Sequence, residues 1–360
     1  MHVTYVGPFN PDNGRNRSII RGLRAAGLEV GIANSDSRWR SIRYARCAQR
    51  GLASGSDVLI YGARGNRFGQ PLSLVMSLVK RRTVVFDAVL SLYETFVIDR
   101  KHHAVQSPAA RLMHKLDSKT FASCDIVLSD TDEHAKYYSS EFGVPLSKFE
   151  TIYIGTDDSV FYPRPRRTHT RFEVGFWGAY VPLQGVETIV EAASRLEDRS
   201  GIVFRMNGRG QMFPKAKALA EEKGLRNMQF VQEWVSYDEL PEVINEFDIC
   251  LGIFGSGSKS MNVIPNKVYE GLAMAKPVIT ADTPAARELL TDSKNCLLVP
   301  PDDADALGDA ILKLKEEPGL RESIASGGYE LFRSSLSPEA TGRRLASVLT
   351  ECVDRTDRMD

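Results

Sequence analysis

The sequence predicts a two-domain α/β protein in which each domain is a parallel sheet covered by helices, and three observations carry this. At 360 residues the chain exceeds one typical domain and suits two of roughly 150 to 200 residues. Strand-sized apolar runs, such as DVLIY at 57–61 and ICLGIF at 249–254, alternate with helical patterns over most of the length. The alternation breaks once, at 157–170, where two prolines and clustered charge replace periodicity, and then restarts.

In the first half, strands are expected at 3–7, 30–33, 58–61, 84–88, 126–129 and 151–155, with helices at 18–26 and 109–122 among them. The opening MHVTYVG reads as the first strand, because it lacks the basic region and long apolar stretch of a signal peptide. After the break, strands at 174–177, 202–206, 228–231, 249–254 and 277–280 alternate with helices at 186–196, 215–223, 237–247, 266–275 and 304–315. Residues 338–354 read as a closing helix. The expected domains are therefore 1–165 and 166–336, with 337–360 as a helix and tail packing back on the first. Two such domains place a cleft between the carboxyl ends of both sheets, where open α/β folds bind ligands.

With 42% hydrophobic and 26% charged residues, the chain can bury two cores and is neither disordered nor fibrous. No run approaches the ~20 apolar residues of a membrane-spanning helix. Cys47, Cys124, Cys250, Cys296 and Cys352 are scattered and odd in number, which argues against a disulfide framework and for a reducing cytoplasm. The six histidines form no metal-binding spacing, so no protein-ligated metal is expected. Charge is uneven: residues 1–170 carry 24 Lys+Arg against 16 Asp+Glu, and residues 171–360 carry 22 against 30. The basic half suits either an anionic partner, such as a membrane with lipid phosphates, or its own acidic second half. Basic stretches with Arg21 and Arg24, then Arg38, Arg40, Arg43, Arg46 and Arg50, fit a solvated or membrane-facing surface. Aromatic interleaving is too sparse for nucleic acid.

The most informative stretch runs from Phe254 to Ile279. A buried strand leads into a loop of small polar residues, and a helix then starts near Pro265 or Asn266. Unpaired N–H groups and the partial positive charge of a helix start make a phosphate site. Ser258, Ser260 and the backbone of Gly255 and Gly257 add donors, and Lys259 and Lys267 add charge. Glu270 lies one turn in, placed for a ribose diol. Spacing alone fits an ordinary strand–helix crossover with a solvated glutamate as well.

IPNKVYEGLAMAKPVI at 264–279 resembles the donor-site signature of family-4 glycosyltransferases, which have the GT-B fold: two Rossmann-like domains facing each other across a cleft. The resemblance extends to 284–290 and 297–302, to VGFWGAYVPLQGVETIVEAA at 174–193, to MNGRG at 206–210 and to 122–138, and is strongest from 174 to 315. It implies a transfer of a sugar from a UDP-, GDP- or ADP-sugar to an acceptor hydroxyl, with retention and without a metal or other cofactor. Glu270 matches the glutamate that holds the donor ribose. Asn266, Lys267 and Val268 match the helix start whose backbone meets the diphosphate, Arg209 the glycine turn beside the nucleotide, and Gly14 the first-domain glycine loop near the donor phosphates.

Three departures stand out. The family's earlier glutamate is here Asn262, able to hydrogen-bond sugar hydroxyls but not to carry charge. The arginine and lysine that many members place after the first strand of the second domain are here Ala179 and Gln184. A leaving diphosphate needs charge stabilisation, so replacements are expected among Arg209, Lys259 and Lys267, with Lys259 either facing the helix start or lying solvated in its loop.

The first domain is expected to serve the acceptor. FDAVLSLYETFVIDR at 86–100 follows a strand and offers Asp87 where many members have a histidine. Asp87 is then a base or hydrogen-bond acceptor near the acceptor, or else a helix cap. Tyr93 and Glu94 lie on the same acceptor side, Asp99 and Arg100 suit a structural ion pair, and Asp130 and Asp132 suit caps of the next helix. Arg15 and Arg17 are placed for an anionic acceptor or the donor. The acceptor is a glycan, a lipid-linked or a small molecule, with the protein cytoplasmic or peripheral at the inner membrane face. A non-catalytic nucleotide-sugar sensor or assembly subunit, motivated by Ala179, Gln184 and Asn262, is the competing reading. A GT-B epimerase is a third and needs several acidic residues converging on the sugar carbon.

Overall fold

The computed structural model describes residues 1–9, 13–62, 82–165, 170–199, 201–233 and 235–357. The chain forms two compact units, Met1–Ile154 with the C-terminal segment from Ser337, and Gly155–Leu336. Parts of the opening loop and of the expected linker lie outside the described residues.

The first unit holds β1 (His2–Val6), β2 (Glu29–Ala33), β3 (Val58–Tyr61), β4 (Thr83–Asp87), β5 (Ile126–Ser129) and β6 (Phe149–Thr151). They form one parallel sheet in the order β2-β1-β3-β4-β5-β6. Side chains alternate across it: Val3, Tyr5, Val58 and Ile60 enter one buried layer, and Val6, Leu59, Tyr61 and Phe86 the other. That period of two explains why these strands read as continuous apolar runs, since both faces are covered. The described helices are α1 (Gly14–Ala25), α2 (Arg40–Ala53), α3 (Pro108–Ser123) and α4 (Asp132–Phe142), joined by α13 (Pro338–Asp357) from the end of the chain. Helices α1 and α13 cross at Gly22 and Gly342. A Cβ on Gly22 would meet the Pro338 carbonyl oxygen at 2.2 Å, so only glycine permits the approach. Arg344 Nε adds a bond to the Thr151 carbonyl at 3.0 Å.

The second unit holds β7 (Phe172–Ala179), β8 (Ile202–Arg209), β9 (Met228–Val231), β10 (Ile249–Leu251), β11 (Val278–Ala281) and β12 (Leu297–Val299). This sheet is also parallel, in the order β12-β11-β10-β7-β8-β9. Its helices are α5 (Val186–Arg195), α6 (Phe213–Glu222), α7 (Leu240–Asn245), α8 (Ser258–Asn262), α9 (Asn266–Ala273), α10 (Pro284–Arg287), α11 (Ala304–Glu316) and α12 (Pro318–Leu331). The strand order reverses between β7 and β10. Ligands of doubly wound sheets bind beyond the carboxyl ends of the strands at such a reversal.

Four expectations are corrected. The last strand of the first unit lies at Phe149–Thr151 rather than 151–155, because Phe149, Glu150 and Thr151 are the residues in register with β5. The helix expected at 237–247 contracts to Leu240–Asn245, with Pro241 in its first turn. The small-residue loop after β10 contains the short helix α8, held by Ser260 Oγ donating to the Leu183 carbonyl at 3.3 Å. Helix α4 is capped by Thr131, whose hydroxyl accepts from the His134 N–H at 3.0 Å, and not by Asp130 or Asp132. Thr131 is the residue with extended backbone there, Asp132 is already helical, and Asp130 is bonded to His134.

Candidate functional site

Two backbone segments meet at the reversal point of the second sheet. One leaves β7 through Tyr180 and a 3-10 turn at Pro182–Gln184; the other leaves β10 and reaches α9 through α8 and Pro265. The Phe254 N–H donates to the Gln184 carbonyl at 3.1 Å and ties them together. At the strand ends, Gly178 and Gly208 face each other with φ +124° and +136°, and a Cβ on Gly208 would fall 1.9 Å from the Gly178 carbonyl oxygen. The strand ends are therefore bare backbone, with no room for a Cβ at Gly208.

Side chains of α9 converge on this edge. Glu270 is buried, and its Oε2 accepts a hydrogen bond from Trp177 Nε1 at 2.6 Å. Trp177 is itself stacked on Phe247, with centroids 6.0 Å apart and planes 21° from parallel. Lys267, also buried, extends over the edge so that its Nζ lies 3.8 Å from the Phe176 ring centroid and donates to Gln184 Oε1. Burial pushes the Lys267 ammonium well below the ordinary lysine range, and the nearby Glu270 charge opposes this in part.

The two positions where cations were missed each have one beside them. Gln184 is bonded to Lys267. Ala179 is the ladder partner of Arg209, which is exposed at the end of β8. Lys259 is buried in α8 and Asn262 ends that helix, so neither is a solvated loop residue. The backbone of the helix start is partly engaged: the Val268 N–H donates to the Pro265 carbonyl at 3.0 Å. Asn266 and Lys267 precede it in the first turn, where N–H groups have no partner within the helix.

Trp177 and Asn207 were not anticipated. They are ladder partners, so they share a face of the sheet. Asn207 is buried, and its Oδ1 has no hydrogen-bond partner among the described residues. They lie within the stretches at 174–193 and 206–210 that carry the resemblance, but nothing in their spacing marks them as facing the site.

The first-unit candidates turn inward. Arg15 and Asp87 form a buried, bidentate pair: Nε lies 2.9 Å from both carboxylate oxygens and Nη2 is 2.6 Å from Oδ1. Arg15 Nη1 also donates to the Ile152 carbonyl at 2.9 Å, and Tyr5 Oη donates to Asn16 at 3.0 Å and Asp87 at 3.3 Å. Burial, with Asp87 beside it, pushes the Tyr5 phenol up. Asp87 is thus neither a free base nor a helix cap, and Arg15 faces no outside anion, because each neutralises the other away from water.

Glu94 and Tyr93 are likewise buried in the first unit. His134 lies between two carboxylates, Asp130 at 2.5 Å from Nδ1 and Glu94 at 3.1 Å from Nε2, and Tyr138 Oη donates to Glu94 at 3.1 Å. Burial disfavours the imidazolium, but Glu94 and Asp130 outweigh it and raise His134 from 6.5 to about 9. Tyr93 packs edge-on against His114 at 5.0 Å, and Asp117 holds the preceding loop through Ser91 Oγ at 2.7 Å and the Tyr93 N–H at 2.9 Å. Gly14 begins α1 and is buried, while Arg17 is half-buried on that helix. Among the described residues, no cluster of three or more His, Cys, Asp or Glu side chains is arranged to hold a metal ion.

Two parallel six-stranded α/β units are the architecture of the GT-B fold. Residues 162–331 match the family model described as glycosyl transferases group 1. The chain is 26% identical over 169 residues to the alpha-D-kanosaminyltransferase of Streptomyces kanamyceticus, covering 47% of this chain and 42% of that one. It is 25% identical over 248 residues to the D-inositol 3-phosphate glycosyltransferase of Kribbella flavida, covering 63% and 56%. The chain thus spans about half the length of the curated relatives it matches. Among solved structures, Anabaena HepE in complex with UDP and glucose superposes with a TM-score of 0.72 at 13% identity, over 98% of this chain and 100% of that one. Sucrose-phosphate synthase from Thermosynechococcus elongatus gives 0.75 at 14% identity, over 99% and 100%. Both likenesses concern the fold. No described helix is long and apolar enough to cross a membrane.

Proposed function

We propose that the chain is a glycosyltransferase that binds a nucleoside-diphosphate sugar on the second unit and transfers its sugar to an acceptor hydroxyl with retention, without a metal. The observation that carries this is the pairing of Lys267 with Gln184 beside Glu270. Positive charge and a ribose-binding carboxylate sit on one helix start, one turn apart, as a ribose joined to a diphosphate requires. In this reading the diphosphate lies over the bare edge at Gly178 and Gly208, with Lys267 and the N–H groups of Asn266 and Lys267 around it. Arg209 and Lys259 supply further charge, and Asn262 meets sugar hydroxyls. Glu270, oriented by the Trp177 indole N–H, takes the ribose diol.

In this reading Gly14 belongs to the loop assigned to the donor phosphates and Arg17 to the acceptor side. With Asp87 and Glu94 buried in ion pairs, the acceptor proton leaves on the departing diphosphate rather than on a first-unit carboxylate. UDP-sugars are the first donors to test, since the HepE structure holds UDP. The test is a thermal-stabilisation screen of UDP-, GDP- and ADP-sugars, followed by assay of diphosphate release with and without acceptors, each in the presence of a chelator. Stabilisation by one nucleotide class and acceptor-dependent release in chelator support the reading. Binding without release across a broad acceptor panel favours the sensor reading that Asn262 motivates.

A further inference from the structure

We propose that the first turns of α2, with Trp39 immediately before them, dock the first unit on an anionic lipid bilayer. The segment is both basic and apolar on its outer side. Between Val30 and Ser56 the sequence has five arginines, Arg38, Arg40, Arg43, Arg46 and Arg50, against one acidic residue, Asp36. Among the described residues, no carboxylate pairs with Arg38, Arg43, Arg46 or Arg50. Two of these brace the turn from within, Arg43 Nε donating to the Ser37 carbonyl at 2.7 Å and Arg50 to the Asn34 carbonyl. Arg46 is left exposed, and the Arg38 guanidinium lies 5.4 Å from the centroid of the Trp39 ring.

The apolar members are exposed: Trp39 is 61% exposed, Ile42 44% and Leu52 41%. The inner side of the helix is satisfied, with Cys47 fully buried. Ile42, Ala45, Arg46 and Gln49 share the outer face at helical spacing, and all four are exposed or nearly so. A helix with basic side chains around exposed Trp and Ile lies in a headgroup interface, where the indole and aliphatic groups reach the acyl boundary and the guanidiniums stay with phosphates. Nucleic acid uses the same charge but gives Ile42 and Leu52 nothing to bury against, so the bilayer fits better. The strand β2 ends at Ala33, and Trp39 follows six residues later; the surface therefore lies at the carboxyl edge of the sheet, where β1 ends and α1 starts.

Co-sedimentation of the full chain with vesicles tests this, using phosphatidylcholine alone, phosphatidylcholine mixed with phosphatidylglycerol, and a DNA duplex as competitor. Capture by the mixed vesicles only is expected, and it weakens as salt is added. Arg46→Gln should weaken it about fivefold, which corresponds to about 1 kcal/mol for one basic side chain near an anionic surface. Trp39→Ala with Ile42→Ser should abolish it while leaving the unfolding temperature within a few degrees of wild type. Equal capture by neutral vesicles, no capture by either, wild-type capture of the Trp39/Ile42 variant, or displacement by DNA at lower concentrations than by vesicles overturns the proposal.

Discussion

Trp177 donates its indole N–H to Glu270 at 2.6 Å and so fixes one oxygen of this buried carboxylate. A hydrogen bond to a charged group is worth about 1.5–3 kcal/mol. Trp177→Phe keeps the stack on Phe247 but removes the donor. The variant should fold with a lowered unfolding midpoint and bind the nucleotide about tenfold more weakly, since small losses of positioning are costly at such a site. Calorimetric titration and thermal melting check both; unchanged affinity would mean that Trp177 only packs.

Lys267 separates binding from stability. Its ammonium is buried with Gln184 as a neutral partner, a placement that burial disfavours. Lys267→Met should therefore leave the unfolding midpoint unchanged or raise it, in line with apolar replacement of buried charge. Nucleotide affinity should fall at least about tenfold, the value of one charge-assisted hydrogen bond. A variant that melts earlier yet binds normally contradicts the role given to this lysine.

Asp87 and Arg15 form a closed pair in the first unit. Removing one partner strands a buried charge, and Asp87→Ala should cost about 3–5 kcal/mol of stability. Arg15→Met combined with Asp87→Ala should recover much of that. Denaturant melts of the two single variants and the double give the coupling; additive losses would show that the pair is not the reason for the burial.

His134 makes stability fall with pH. Its folded value of about 9 lies above the ordinary 6.5, so the folded state binds the proton more tightly than the unfolded chain does. The contribution is present in full below about 6.5 and is lost as pH rises through about 9. The unfolding midpoint of wild type should drop across that window, and His134→Gln should be less stable at its lower end and flatter across it. A wild-type midpoint that is level over the window argues against a charged His134.

Much of the fold was legible because its strands are buried on both faces and its helices carry clear periodicity. Runs such as VLIY at 58–61 and VVF at 84–86 leave no other reading. The start of α9 and the place of Glu270 one turn in were legible, because a proline followed by a helix after a strand is a local pattern. Its electrostatics were less so. That Lys267 reaches Gln184 and that Arg209 lies beside Ala179 are facts of register and of side-chain reach, which spacing does not encode. The partners of the first-unit candidates were hidden for the same reason. Asp87 and Glu94, in a polar cluster after a strand, find Arg15 and His134 from distant parts of the sequence.

The central claim, that α9 holds a nucleoside diphosphate with Glu270 on its ribose, is tested most directly by titrating UDP into wild type and Glu270→Ala by calorimetry. Wild type should bind, and the variant should lose about tenfold or more in affinity, as expected for a lost hydrogen bond to a charged group, while retaining its fold. Wild-type affinity in Glu270→Ala would contradict the account.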